Sequence, residues 1–171
     1  LKSDHPDFFY NLGNSYSGLN RQKDAVHSYR QAIELKPDYF DAHYNIGVSL
    51  QSINSLKECE LSYKRAIELR PHCAKVHNNL GAVLKELSRF NEAEESYKKA
   101  LQLHPDYGEA YYNLGVCLKA SDRINEAKTN FESAIRVNPS LAEAHNDLAF
   151  ILKDIDSLVE AENSYRKAID A

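Results

Sequence analysis

The residues of this sequence that could do chemistry are amides that recur at one fixed spacing. Asparagine stands at four positions 34 residues apart, and aspartate takes the fifth position: Asn11, Asn45, Asn79, Asn113 and Asp147. A carboxamide offers one acceptor and two donors, a set that complements the N–H and C=O groups of a peptide backbone. Asparagine also costs a helix roughly 0.5 kcal/mol relative to alanine, so its repetition points to a use. The row favours binding of an extended peptide by its main chain.

Tyrosine and lysine accompany this asparagine row at the same period. Tyrosine directly precedes three of the positions, and lysine follows three of them by six residues: Tyr10, Tyr44 and Tyr112, then Lys85, Lys119 and Lys153. We expect the asparagines to hold the peptide backbone and these tyrosines and lysines to select its side chains. Two alternatives stay open, namely a hydrogen bond from each asparagine to a neighbouring helix, and recurrence without function. Asp147 brings a negative charge where an amide is expected, so the peptide register should weaken there.

Histidine and cysteine are the other candidates for chemistry, and their spacing argues against it. Histidine recurs at one position of the period, as His43, His77 and His145. Equivalent residues of neighbouring repeats lie about 8–10 Å apart, whereas Zn–N bonds are about 2.0–2.1 Å long, so we predict buried histidines and no metal site. The cysteines form no CxxC, and the sequence contains no GxSxG, HExxH or glycine-rich phosphate loop. These features predict a non-enzymatic protein without a cofactor.

Composition narrows the class of partner. The chain has 171 residues, of which 43% are hydrophobic and 27% charged, and its net charge is −4. This balance is typical of a globular protein and gives no basic surface for nucleic acid. No apolar run approaches the roughly 18 residues of a membrane span, and the odd number of cysteines favours reduced thiols. We therefore expect a cytoplasmic, or at least intracellular, protein without membrane insertion, in which a targeting segment is not observable.

The elements that position these residues follow from the same 34-residue period. In each period, apolar residues spaced i, i+3, i+4 and i+7 predict a first helix with a small residue at its centre, such as Gly47. A second stripe, in which a ring stands between two small residues as at Tyr29, predicts a second helix. We expect the central glycine to let a neighbouring helix approach closely.

Turn residues separate the predicted helices. Prolines 34 residues apart should end each second helix: Pro37, Pro71, Pro105 and Pro139. Between the two helices of a period we expect one residue in the left-handed conformation: Asn20, Asn54, Ser88, Asp122 and Asp156. Asparagine and aspartate reach that conformation more easily than other non-glycine residues, so Ser88 is the weakest fit.

Together these features resemble the tetratricopeptide repeat, whose signature runs from an aromatic residue through Leu-Gly and Tyr to Ala, an aromatic residue and Pro. The resemblance implies an all-α fold, a right-handed α-solenoid of five 34-residue helix-turn-helix repeats whose first helices line a concave groove. We place the repeats in a single array at residues 6–39, 40–73, 74–107, 108–141 and 142–171. Residues 1–5 then form the tail of a preceding repeat, and the last repeat is truncated.

The asparagine row itself resembles the asparagine ladder in the repeat region of O-linked N-acetylglucosamine transferases. We therefore interpret the chain as a protein-interaction scaffold that binds an extended peptide of a partner in its groove. One alternative is the substrate-recognition arm of a larger enzyme, such as an O-linked glycosyltransferase. A second alternative is an architectural scaffold that self-associates end to end, because neither end of the sequence offers a clear polar capping helix.

Overall fold

The computed structural model of the protein describes residues 5–154 and 158–170, which form ten α-helices and no β-strand. The first helices of the five periods are α1 (Pro6–Gly18), α3 (Phe40–Ser52), α5 (Ala74–Glu86), α7 (Gly108–Ala120) and α9 (Ala142–Asp154). The second helices are α2 (Gln22–Leu35), α4 (Leu56–Leu69), α6 (Phe90–Leu103), α8 (Ile124–Val137) and α10 (Leu158–Asp170). None of the helices in these ranges is long and apolar enough to cross a membrane.

The chain divides into two compact units, Leu1–Leu87 and Ser88–Ala171. Within the first unit, each of the helices α1 to α5 packs against its neighbours in sequence. Within the second unit, α6 to α10 pack in the same way. Packing between sequence neighbours characterises helical repeat proteins, and the predicted class, an all-α solenoid of helix-turn-helix repeats, is confirmed.

The residues that join the paired helices adopt the left-handed conformation that the sequence predicts. The φ angles are 59°, 58°, 60° and 61° at Asn20, Asn54, Ser88 and Asp122, respectively. The fifth predicted position, Asp156, lies outside the described residues. Serine reaches this conformation less easily than asparagine or aspartate, so Ser88 carries the most backbone strain of the four.

Prolines follow the ends of the second helices, as predicted. Helix α2 ends at Leu35, and Lys36 leaves the helical region with φ −140° and ψ 86° directly before Pro37. The residues before the other three prolines have φ angles of −137°, −141° and −129°. A proline ring clashes with a helical residue ahead of it, which is the physical reason why these helices stop.

One contact recurs in the core of both units, namely a ring of the second helix against the central glycine of the first. The pairs are Gly13 with Tyr29, Gly47 with Tyr63 and Gly115 with Phe131. A Cβ atom added to these glycines would lie 2.4, 2.4 and 2.6 Å, respectively, from the nearest ring carbon. The expectation that glycine permits a close helix approach is confirmed, because only a hydrogen atom fits between backbone and ring.

The recurring histidines are buried, as predicted, and each one bonds the loop that precedes its own helix. The ring Nε2 lies 2.9 Å from a proline carbonyl oxygen in three pairs: His43 with Pro37, His77 with Pro71 and His145 with Pro139. A carbonyl oxygen only accepts, so Nε2 carries the hydrogen in each ring. In the described residues, no group of three or more His, Cys, Asp and Glu side chains could hold a metal ion.

The glycine–ring contact predicts the effect of one added methyl group. We expect Gly47→Ala to lower the free energy of unfolding by about 1–2 kcal/mol, because overpacking against the buried Tyr63 ring outweighs the better helix propensity of alanine. Chemical denaturation followed by circular dichroism measures this change. The matched control is Gly18→Ala, since nothing lies within 4 Å of a Cβ atom at Gly18. That variant should be neutral or slightly more stable, and equal losses in both variants would contradict the packing account.

Candidate peptide-binding surface

The asparagine, tyrosine and lysine rows all lie on first helices. They comprise Tyr10 and Asn11 on α1, Tyr44 and Asn45 on α3, Asn79 and Lys85 on α5, Tyr112, Asn113 and Lys119 on α7, and Lys153 on α9. Residues seven apart return to the same side of a helix, so Tyr112 and Lys119 of α7 share a face, and a row asparagine directly follows each of the three tyrosines. In each unit, we call the surface formed by these side chains the asparagine face. Asn11 and Lys153 are exposed, and the other predicted residues are half-buried.

In the first unit, Asn45 is held by hydrogen bonds to helix α1. Its Nδ2 donates to the Tyr10 hydroxyl at 3.2 Å and to Oδ1 of Asn14 at 3.1 Å. The same Oδ1 of Asn14 accepts a hydrogen bond of 2.9 Å from the Tyr29 hydroxyl of α2. Both amide hydrogens of Asn45 are thereby used within the protein.

Asn79 repeats this arrangement one period later in the same unit. Its Nδ2 donates to the hydroxyls of Tyr44 and Tyr63, at 3.3 and 3.4 Å. The Tyr63 hydroxyl in turn donates to Oε1 of Gln51 at 3.3 Å, and Nε2 of Gln51 donates to Oε1 of Glu86 at 3.2 Å. A continuous series of hydrogen bonds therefore fixes the orientation of the Asn79 side chain.

These two asparagines make hydrogen bonds to neighbouring helices and still keep one group for a ligand. No donor among the described residues reaches Oδ1 of Asn45 or Asn79, and neither oxygen is buried. Each oxygen can accept a hydrogen bond from a ligand, whereas the amide hydrogens would first have to leave their internal acceptors. The side chains are already held in one orientation, which reduces the entropy that binding would cost.

The tyrosines of the asparagine face pack on the rings that fill the core. Ring centroids are 5.8 Å apart for Tyr10 and Tyr29, 6.0 Å for Tyr44 and Tyr63, and 5.8 Å for Tyr112 and Phe131. Aromatic pairs at such distances attract one another beyond the area that they bury. The second ring of each pair, on the second helix, is fully buried. It therefore holds the tyrosine of the asparagine face in a fixed position.

Sequence reasoning missed the side chains that orient the asparagine row. Asn14 and Gln51 lie on the same first helices, three and six residues after a row position, so the i+3 spacing was a usable signal for Asn14. Tyr29 and Tyr63 were predicted as core rings, and their hydroxyls nevertheless reach the base of the asparagine face. Burial raises the pKa of both phenols above its ordinary value, so both remain donors at neutral pH.

The second unit has a different arrangement, because Asp147 stands where the row has asparagine elsewhere. Its carboxylate accepts a hydrogen bond of 3.1 Å from the Tyr112 hydroxyl and an ion-paired one of 2.8 Å from Nζ of Lys119. The Lys119 ammonium also lies 4.9 Å from the ring centroid of Phe150. Lys119 was predicted to read ligand side chains, and the structure places it in an ion pair within its own unit.

Three of the other predicted residues, Lys85, Lys153 and Asn11, lie outside these hydrogen-bond groups among the described residues. Lys85 is half-buried and Lys153 is exposed, and neither forms an ion pair with a described residue. Asn11 makes no side-chain hydrogen bond within the described ranges. A cleft of about 460 Å³ adjoins Asp147 in the second unit, and its lining includes Tyr112, Glu143, Asn146 and Tyr165.

The Tyr112–Asp147 hydrogen bond has a consequence for ionisation. Burial first, and the negative charge and hydrogen bond of Asp147 next, raise the pKa of Tyr112 to about 12. The protonated phenol therefore stabilises the fold fully below the ordinary tyrosine pKa of about 10, and this contribution is lost as the pH rises from there towards 12.

We expect Asp147→Asn to lower the pKa of Tyr112, because the carboxylate charge disappears, but to leave it above 10, because burial remains. Nuclear magnetic resonance of carbon-labelled tyrosine, over the pH range in which the protein stays folded, would measure this change. Tyr29 lies in the other unit and serves as the internal reference, because burial also raises its pKa and the substitution should not move it. An unchanged Tyr112 titration in the variant would contradict the hydrogen bond.

Known proteins were compared with the chain in sequence and in structure. Models of the tetratricopeptide repeat match residues 40–73 and 72–140, and a TPR repeat model matches residues 13–54, so together they span residues 13–140. No curated protein sequence matches the chain significantly.

Several solved structures share the fold. One is a structure described as the functional characterisation of Pseudomonas aeruginosa pilF. It is similar to this chain with a TM-score of 0.88 and 27% sequence identity, over 96% of this chain and 75% of that one. MamA from Desulfovibrio magneticus RS-1 gives 0.87 at 16% identity, over 96% and 93% of the two chains. YrrB, described as a TPR protein with an unusual peptide-binding site, gives 0.78 at 23% identity, over 99% and 87%. From the repeat matches and the helical fold, we conclude that this chain belongs to the tetratricopeptide repeat family.

Proposed function

We propose that this protein is a non-catalytic interaction module that binds an extended peptide segment of a partner protein along the asparagine face. The tetratricopeptide repeat fold supports a protein-interaction scaffold. The observation that supports peptide binding at this face is the pair of carboxamide oxygens on Asn45 and Asn79, which are not buried, are held in one orientation and accept no hydrogen bond from the described residues. Oxygens of this kind accept backbone N–H groups without regard to the side chains of the ligand.

Side-chain selection on this surface would come from the charges beside the row. Lys85 and Lys153 are free of ion pairs in the described ranges and would favour acidic residues of the partner. Asp147 and Glu143 border the cleft of the second unit and would favour a basic residue there. The aromatic rings of Tyr10, Tyr44 and Tyr112 would contact apolar parts of the ligand.

The proposal concerns peptide recognition itself, and it holds for a scaffold as well as for the recognition arm of a larger enzyme. YrrB, a relative in fold, is described as having a peptide-binding site, which agrees with this class of ligand. We also propose an intracellular location, because Cys59 and Cys73 are reduced thiols in the structure, and reduced cysteines are typical of intracellular proteins.

The test is a peptide-display selection on the unmodified protein, followed by affinity measurement of the enriched peptides with Asn45→Ala and Asn79→Ala combined. We expect binding to weaken by about 1–3 kcal/mol, because two hydrogen bonds to the ligand are lost at roughly 0.5–1.5 kcal/mol each. Isothermal titration calorimetry measures the change. Circular dichroism confirms that the double variant remains folded.

The matched control combines Asn91→Ala and Asn125→Ala, which remove two exposed asparagines from the second helices α6 and α8. This control should bind as the unmodified protein does. Light scattering at the working concentration checks for self-association, since Leu158, Val159 and Ile169 of α10 are exposed apolar side chains. Equal affinities for the unmodified protein and the Asn45/Asn79 double variant would exclude the asparagine face as the binding site.

A further inference from the structure

We infer that asparagine side chains accept hydrogen bonds from the peptide backbone, whereas tyrosine hydroxyls donate hydrogen bonds to it. Asn45 and Asn79 accept from peptide N–H groups through Oδ1, and the hydroxyls of Tyr10 and Tyr44 donate to peptide C=O groups. This inference rests on the proposed function and specifies the chemistry of the same site. It differs from the expectation for a lone carboxamide, in which one asparagine would supply both the donor and the acceptor.

The internal hydrogen bonds remove the asparagine amides as donors to a ligand. Nδ2 carries two hydrogens, and in Asn45 they are directed at the Tyr10 hydroxyl and at Oδ1 of Asn14. In Asn79 they are directed at the hydroxyls of Tyr44 and Tyr63. A ligand carbonyl would have to displace one of these acceptors, and the exchange would bring no net gain in hydrogen bonds.

The hydroxyls of Tyr10 and Tyr44, unlike the asparagine amides, still have a hydrogen that they can donate to a ligand. A phenolic oxygen accepts and also carries one hydrogen. Tyr10 and Tyr44 accept from the asparagine amides, and no described acceptor receives their own hydrogen. Both side chains are half-buried, so they retain contact with solvent. Accepting a hydrogen bond polarises the O–H group, which makes it a better donor.

The tyrosine that donates and the asparagine that accepts are hydrogen-bonded to each other, although they come from adjacent first helices. The Tyr10 hydroxyl is 3.2 Å from Nδ2 of Asn45, and the Tyr44 hydroxyl is 3.3 Å from Nδ2 of Asn79. In an extended chain, the N–H and C=O of one residue can pair together with a single neighbour, as in a β-ladder. Each Tyr–Asn pair is therefore suited to one residue of the ligand backbone.

This division defines the class of ligand. The residues that meet the two pairs must have a backbone N–H, so proline is excluded there, while the side chains are not specified by these bonds. The binding segment is an extended peptide that reaches both pairs of the first unit and carries non-proline residues at each of them.

The second unit provides a built-in comparison, because the hydroxyl of Tyr112 donates to Oδ2 of Asp147 at 3.1 Å. Its hydrogen is already used, and the row position opposite it is a carboxylate rather than an amide. Removal of the Tyr112 hydroxyl takes no donor away from a ligand. The matched control is a tyrosine without a role in the proposed site, Tyr16→Phe, which removes a hydroxyl of helix α1 outside the asparagine face.

The experiment measures the affinity of a selected peptide for the variant that combines Tyr10→Phe and Tyr44→Phe. We expect binding to weaken by roughly fivefold to 150-fold, as follows from two lost hydrogen bonds, and Tyr16→Phe should change it less than about twofold. If the asparagine amides were the donors, the same double variant would free Nδ2 and bind equally well or more tightly. Such a result would overturn the inference.

A scan of the peptide supplies a second measurement that needs no variant of the protein. Replacing one backbone amide at a time by an ester removes its N–H, and we expect a loss of affinity at two separate residues. If Asn45→Ala with Asn79→Ala weakens binding while the two phenylalanine substitutions do not, the inference alone is wrong. If neither the asparagine nor the tyrosine variants weaken binding, the proposed function is wrong as well.

Discussion

The structure depends on the contact between the central glycine of a first helix and the buried ring of the second helix. At Gly13, Gly47 and Gly115 no Cβ atom could be added without meeting the ring at 2.6 Å or less. This contact brings the two helices of a period close together and excludes water from their interface. It also fixes the position of the ring, and the ring supports the surface where we place the function.

Core packing and the asparagine face are linked through these rings. Tyr29 and Tyr63 fill the core with their rings, and their hydroxyls hold Asn14 and Asn79 at its edge. Phe131 occupies the equivalent place in the second unit and has no hydroxyl, and there Asp147 organises the surface with Lys119 and Tyr112. The two units thus present different chemistry on the same helical framework, with amide oxygens in one and a paired carboxylate in the other.

Most of the fold could be predicted from the sequence, because each local signal agreed with the 34-residue period. The left-handed turns at Asn20, Asn54, Ser88 and Asp122 and the helix ends before proline follow from backbone sterics, which act within a few residues. The burial of the histidines follows from helical spacing alone. These properties can be predicted without knowing which side chains contact one another between two helices.

The candidate site could be located from the sequence, but its hydrogen bonds could not be assigned. Helical periodicity places Asn45 on a face, whereas its bonds depend on Tyr10 and Asn14, which stand 35 and 31 residues earlier. Lys119 was predicted to select ligand side chains, and its ion pair with Asp147, 28 residues away, could not be foreseen from the spacing. Which partner a side chain bonds depends on its conformation and on the other groups within reach, and the spacing of residues in the sequence does not reveal either.

We place an extended peptide on the asparagine face, held there by its backbone. The decisive measurement is a crystal structure of the protein with a peptide enriched by selection. We expect peptide nitrogens about 2.7–3.2 Å from Oδ1 of Asn45 and of Asn79, with the internal bonds to Tyr10 and Tyr44 intact. A peptide bound on the second helices, or asparagine amides turned from the tyrosines towards the ligand, would contradict this expectation.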